Sequence, residues 1–182
     1  MPMIVAFAGR RIDAPNAGDV RFPEANVAAV RARLQRELTG YNTTTLVSSA
    51  ACGADLIALD LAGTLGIRRI VVLPWESSHF RASSVVDRSA DWGEMYDRIL
   101  REVDPRDIRV LGRRESGDGA YVATNEAILD TALAEARQSE THEDAMAIVA
   151  WNGAARERVD VTARFIESAR SRGLTVVEIS TL

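Results

Sequence analysis

The sequence predicts an α/β fold of three layers, with helices on both faces of a mainly parallel central sheet. Three observations lead there. Short apolar runs alternate along the chain with segments of helical periodicity, the order that crossover connections between parallel strands require. The run Arg69 to Leu73 is almost continuously apolar and β-branched, as expected of a strand buried on both sheet faces. Finally, 182 residues make one ordinary domain with a sizeable core, so the alternation is assigned to a single domain over 1–182.

Ile4 to Ala8 opens as a strand, stops at Gly9 and gives way to a polar connection through Pro15, Asn16 and Gly18. This connection is long for a strand-to-helix loop, and such loops often carry function. From Pro23 a helix is predicted, with Val27, Val30, Leu34 and Leu38 at helical spacing and Gly40 as its stop. Thr44 to Val47 is the second strand. Small residues from Ser48 to Gly53 form a turn, after which Ala54 to Gly63 puts Leu56, Leu59 and Ala62 on one helical face. Pro74 ends the third strand at Leu73. Between Trp75 and Asp107 the pattern is less regular. A short helical turn precedes a helix over Ala90 to Val103, whose stripe is Trp92, Tyr96, Ile99 and Val103. Ile108 to Leu111 is a fourth strand, and the charged, glycine-containing stretch Gly112 to Gly119 is a candidate flap. Tyr121 to Arg137 is helical, Ala145 to Trp151 is the fifth strand, Val159 to Ser171 is a helix ended by Gly173, and Leu174 to Ile179 is the last strand.

Composition removes several function classes. With 22 basic and 26 acidic side chains the formal charge is −4, which takes away the diffuse attraction behind binding to long nucleic acid or anionic membrane but leaves room for a local basic pocket. Lone Cys52 excludes an internal disulfide and a multi-cysteine zinc site. His79 and His142 are far apart and lack nearby ligand residues, so no metal is expected, and no cofactor is assigned. The opening apolar run is six residues long, lacks a basic leader and meets Gly9-Arg10-Arg11, which fits neither a signal peptide nor a membrane span; the expected location is cytoplasmic. A G-x-G-x-x-G fingerprint, a Walker A loop, a G-x-S-x-G elbow and an H-E-x-x-H helix are all missing, so no nucleophile is identified.

A Rossmann-like sheet of this kind holds its ligand beyond the carboxyl ends of the strands, where the strand order reverses. The residues there are Gly9-Arg10-Arg11, Ser48-Ser49, Pro74-Trp75, Leu111-Gly112 and Trp151-Asn152-Gly153. Arginine grips phosphate, amides at a helix start hold the same anion, and a tryptophan face stacks on a base, so the set points to a nucleotide-shaped ligand. Alternate pointing gives one of Arg10 and Arg11 to the cleft, with Arg10 favoured; the other reading pairs it with Asp13 or Asp19 to brace the loop. Ser49 to Asp55 is the phosphate or ribose candidate, through the Gly53 and Ala54 amides. Asp55 would repel phosphate, so it is either an acceptor for a ribose hydroxyl or a helix cap. Cys52 beside it is a small packing residue or a thiol under the helix dipole. Trp75 and Trp151 either stack on a base, wedge the sheet edge or line a homo-oligomer interface. Asn125 could orient a ligand, and Glu126 is either an acid or base or a solvated helix residue.

The segments Val5-Ala6-Phe7-Ala8-Gly9-Arg10-Arg11-Ile12-Asp13, Ser49-Ala50-Ala51-Cys52-Gly53-Ala54-Asp55 and Val72-Leu73-Pro74-Trp75 resemble the SLOG superfamily of Rossmann-like proteins, which includes the Lonely Guy-like and DprA-like proteins. Phe80, Ser84 and Val85, then Tyr121, Asn125 and Trp151-Asn152-Gly153, look like later motifs of its sensor branches. The resemblance implies a pocket for a nucleotide or nucleotide derivative such as an ADP-ribose-like molecule, used for sensing in some members and for N-glycosidic cleavage in others. Its matching positions are Gly9, Arg10, Gly53, Ala54 and Asp55. The P-G-G-x-G-T-x-x-E motif of Lonely Guy phosphoribohydrolases is absent, its nearest segment being Ala50 to Asp60. A sensor module is therefore the first expectation and a nucleoside or nucleotide hydrolase using Asp55 or Glu126 the second.

Overall fold

The computed structural model describes residues 1–88, 91–114 and 116–182. In chain order the elements are β1 (Met3–Gly9), α1 (Val27–Gly40), β2 (Thr43–Ser48), α2 (Ala54–Thr64), β3 (Arg68–Leu73), α3 (Ser77–Ser84), α4 (Asp91–Glu102), β4 (Ile108–Val110), α5 (Asp118–Gln138), β5 (Asp144–Trp151), α6 (Val161–Ser171) and β6 (Val176–Ser180). The sheet has six strands in the order β4-β3-β2-β1-β5-β6, and every pairing is parallel. The α/β three-layer fold is as expected.

Central β1 shows how alternation builds the layers. Val5 and Phe7 join Leu34, Leu56, Leu59, Phe80 and Ile99 in one core, beneath α1 to α4. Ile4, Ala6 and Ala8 face the other way and pack with Ile128, Leu129 and Phe165 of α5 and α6. A strand covered on both faces must be apolar at every position, which accounts for the unbroken run in the sequence. Eight of the eleven residues of α2 are buried, so this helix is anchored by packing all round rather than by one stripe.

β2, β3 and β4 extend from β1 in one direction and β5 and β6 in the other, so the order reverses between β1 and β5. Their paired ends, Gly9 opposite Ala150, with the Arg10 amide donating to the Ala150 carbonyl at 2.8 Å, mark the switch point.

Several boundaries differ from expectation. After Pro23 the chain makes one 3-10 turn, Glu24–Asn26, before α1 begins at Val27. The turn expected after Trp75 is a full helix, α3, of eight residues. α4 starts at Asp91, and Ala90 lies outside the described residues. α5 starts three residues earlier than expected, at Asp118, which shortens the candidate flap; Glu115 within it lies outside the described residues. β6 begins at Val176, because Gly173 and Leu174 close α6 through bonds to Arg170 and Ala169. No helix among the described residues is long and apolar enough to cross a membrane.

Candidate functional site

A cleft of about 460 Å³ opens at the switch point. Its floor is the end of β1 and the turn into α2: Gly9, Arg10, Arg11, Ser49, Ala51 and Asp55. Tyr121, Thr124 and Asn125 of α5 form one wall, and Arg156, Val161 and Thr162 from the connection into α6 form another. Asp13, Ala17, Asp19 and Arg21 come from the loop after β1, and Phe80 and Arg88 from the α3 side.

That loop holds its course because Asp13 closes it. The Asp13 carboxylate accepts the Arg21 and Phe22 amides at 3.0 and 2.9 Å, and the Asp13 amide donates to the Phe22 carbonyl at 2.9 Å. Phe22, fully buried, pins the return. Residues 14–21 are thereby an excursion with its ends tied together, carrying Arg21 to the cleft.

Arg10 is buried and engaged on all sides. Its Nη1 and Nη2 donate to both oxygens of Asp160 at 2.9 and 2.8 Å, Nη2 also donates to the Ala154 carbonyl at 2.8 Å, and Nε donates to Asn152 Oδ1 at 2.9 Å. Its guanidinium lies 5.6 Å from the Trp151 ring centre. Asp160 in turn caps α6 through the Thr162 and Ala163 amides, both at 3.0 Å. Burial opposes ionisation of Asp160, yet the Arg10 hydrogen bonds and the Ala163 and Arg156 amides outweigh it and hold the carboxyl down at about 2. The partner of Arg10 is therefore Asp160, where the alternative reading named Asp13 or Asp19; the guanidinium favoured to meet the ligand's charge is already engaged, and the pair fastens the post-β5 connection to β1.

Arg11 leaves the opposite side of the chain. Its Nη2 donates to the Cys52 sulfur at 3.4 Å and pairs with Asp87, and Arg88 Nε lies 3.8 Å from the other Asp87 oxygen. Cys52 is fully buried, and burial pushes its thiol pKa up, against the thiolate that a helix dipole would favour.

The turn into α2 is closed more tightly than the sequence implies. Gly53 (φ +108°) forms an antiparallel bridge with Arg11; a Cβ there would lie 2.5 Å from the Ile12 nitrogen. The Ala54 amide donates to the Arg10 carbonyl at 3.1 Å. Gly53 and Ala54 thus join β1 to α2 behind the cleft, and the Ala54 amide expected to hold phosphate is already bonded. Asp55 is 7% exposed on the cleft floor; Oδ2 accepts the Ala51 amide at 3.3 Å, while Oδ1 has no hydrogen-bond partner. Burial raises its pKa to about 7, against the Ala51 and Gly9 amides and the Arg11 charge.

Of the remaining expected residues, Gly9, Ser49 and Asn125 line the cleft, Asn125 with its Nδ2 donating to the Val161 carbonyl at 3.2 Å. Trp75 does not line it: the ring is buried, 4.8 Å from His79 and edge-on to Tyr121 at 5.6 Å. Ser84 is fully buried behind the same wall, its hydroxyl 2.8 Å from the Tyr121 hydroxyl. Pro74 accepts the Arg113 amide on the β4 side. Trp151 donates from Nε1 to Glu178 at 2.8 Å and, with Asn152 and Gly153, stays outside the lining. Glu126 is drawn the other way, bonded to Ser168 and Arg172 on α6 and the residue after it, so it braces α5 against α6. The hollow expected between Arg10, Gly53, Trp75 and Trp151 is lined by Arg10 alone of the four.

Sequence reasoning missed Arg21, Arg88 and Arg156. Each sits in a connection rather than directly after a strand, and the only signal was the length of the polar loops containing Arg21 and Arg156. Among the described residues no group of three or more His, Cys, Asp or Glu side chains is arranged to hold a metal ion.

The chain matches no family model and no curated protein. Among solved structures it is similar to DNA processing protein A (DprA) from Streptococcus pneumoniae, at 15% identity and a TM-score of 0.41, over 97% of this chain and 58% of that one. The chain thus spans a little over half the length of that protein.

Proposed function

We propose that the cleft binds a nucleotide or a nucleotide-derived, ADP-ribose-like molecule as a sensor site. One observation carries the reading. Six buried side-chain polar atoms among the described residues lack a hydrogen-bond partner, and four of them, Arg11 Nε, Arg21 Nη1, Arg88 Nε and Asp55 Oδ1, belong to residues lining this one cleft. Each such atom costs roughly 1–3 kcal/mol, so their concentration at a switch point is the mark of groups kept ready for a polar ligand. Guanidinium N–H groups suit phosphate oxygens, the Asp55 carboxyl suits a ribose hydroxyl, and the Tyr121 ring, steadied by Trp75 and Ser84, takes the part of the base platform. The volume lies within the range of small-molecule sites. The resemblance of Gly9-Arg10 and Gly53-Ala54-Asp55 to SLOG proteins favours the same ligand class.

Asp55 favours a second reading, hydrolysis of an N-glycosidic bond. A carboxyl with a pKa of about 7 on a cleft floor is suited to proton transfer at neutral pH. It would pass its proton to the departing base nitrogen and recover one from the water that attacks the ribose carbon. Titrating the protein calorimetrically with AMP, ADP-ribose and adenosine, while analysing the mixture for released base, separates the two. Binding without release supports the sensor; release that stops in Asp55→Asn supports the hydrolase; neither binding nor release overturns both.

A further inference from the structure

Arg10 and Arg11 are consecutive on an extended segment, so their side chains depart on opposite sides, and each gathers a separate group of charges. On the post-β5 side, Arg10, Arg21 and Arg156 surround one buried carboxylate, Asp160: Arg10 grips it, Arg21 Nη1 lies 3.8 Å away, and Arg156 donates only its backbone amide to it, at 2.9 Å. Arg21 also pairs outward with exposed Asp19. Partial burial and the positive fields of Arg21 and Arg10 push Arg156 below the ordinary guanidinium value, a sign that positive charge there exceeds what Asp160 and Asp118 offset. On the α3 side, Arg11 and Arg88 share Asp87, and the Nε of each is buried without a hydrogen bond, Arg88 Nε standing 3.8 Å from the Asp87 carboxylate. Both groups line the same cleft, which Asp13, Asp19, Asp55 and Asp118 line as well; by close ion pairing, Arg10, Arg21 and Arg156 stand against Asp160 and Asp19, and Arg11 and Arg88 against Asp87.

We infer that the ligand carries two non-adjacent anionic groups, one received by Arg21 and Arg156 and the other by Arg11 and Arg88. The class is a nucleoside bearing phosphates at two separate positions, as opposed to a monophosphate or a simple terminal diphosphate. This rests on the nucleotide reading of the cleft and deepens it. Arg10 is a positioning residue in this scheme, because its hydrogen bonds fix the connection that delivers Arg156.

The test compares adenosine and guanosine 3′,5′-bisphosphates with the 5′-monophosphates and 5′-diphosphates by calorimetry, on the intact chain and on Arg88→Gln and Arg156→Gln. The bisphosphates are expected to bind about tenfold tighter than either comparison ligand, each variant is expected to remove that advantage, and the monophosphate is expected to lose affinity in only one variant. Arg156→Lys, which keeps the charge, is expected to restore part of the loss, and unchanged melting temperatures establish that the variants fold. Equal affinities for the three phosphorylation patterns, or equal loss of monophosphate binding in both variants, overturn the two-anion assignment while the nucleotide reading stands. Failure of every nucleotide to bind overturns both.

Discussion

Arg10 and Asp160 are both about 5% exposed and meet through two hydrogen bonds, so neither can be removed without leaving the other buried and unmatched. Breaking such a pair typically costs about 3–5 kcal/mol, and Asp160→Ala also loses the cap of α6, so urea unfolding is expected to register a loss in that range. Because Asp160 is held at about 2 in the fold, below its unfolded value, its stabilisation is present above about pH 4 and disappears as pH falls through 2. Asp55 has the opposite sign. Raised to about 7, it keeps a proton in the fold that the unfolded chain has released, so its contribution makes stability fall between about pH 4 and pH 7 and level off above. Asp55→Asn is therefore expected to stabilise the protein at pH 8 by on the order of 2–4 kcal/mol and to change little at pH 4, as read from paired denaturation curves.

The element that shapes the site is the junction of β1 with α2. Gly9 and Gly53 sit where backbones touch: a Cβ on Gly9 would lie 2.4 Å from the Ala54 Cβ, and Gly53 adds a left-handed φ. Gly53→Ala is expected to cost at least ~2 kcal/mol in urea unfolding, from strain and from contact with the Arg10–Ile12 backbone. The loop after β1 depends instead on Asp13. Asp13→Ala leaves the Arg21 and Phe22 amides without their acceptor, and limited proteolysis is expected to cut within 14–21 faster than in the parent protein, with nucleotide affinity reduced because Arg21 is no longer held.

Across the whole molecule, the layers could be read from sequence because buried parallel strands and amphipathic helices carry different periods, and Val5, Phe7, Leu34 and Leu59 obey them. Gly9, Arg10, Arg11, Ser49, Asp55 and Asn125, singled out from sequence, all line one cleft at the strand-order reversal. What could not be read was the direction of side chains just past a strand end. Trp75 turns inward onto His79 and Tyr121, and Trp151 lies beneath Arg10, both outcomes of packing between distant segments. Nor does local pattern reveal how far a loop returns; Arg21 and Arg156 reach the cleft only because Asp13 and Asp160 tie down connections whose partners are remote or non-periodic. The central claim is that this arginine-lined cleft is a nucleotide site, and calorimetric titration of ADP-ribose and of adenosine 3′,5′-bisphosphate into the parent protein and into the double variant Arg88→Gln/Arg156→Gln tests it most directly. One-to-one binding of either ligand that weakens by about tenfold or more in a double variant of unchanged melting temperature is the expected result, and absent binding of both, or identical affinities in the two proteins, would contradict it.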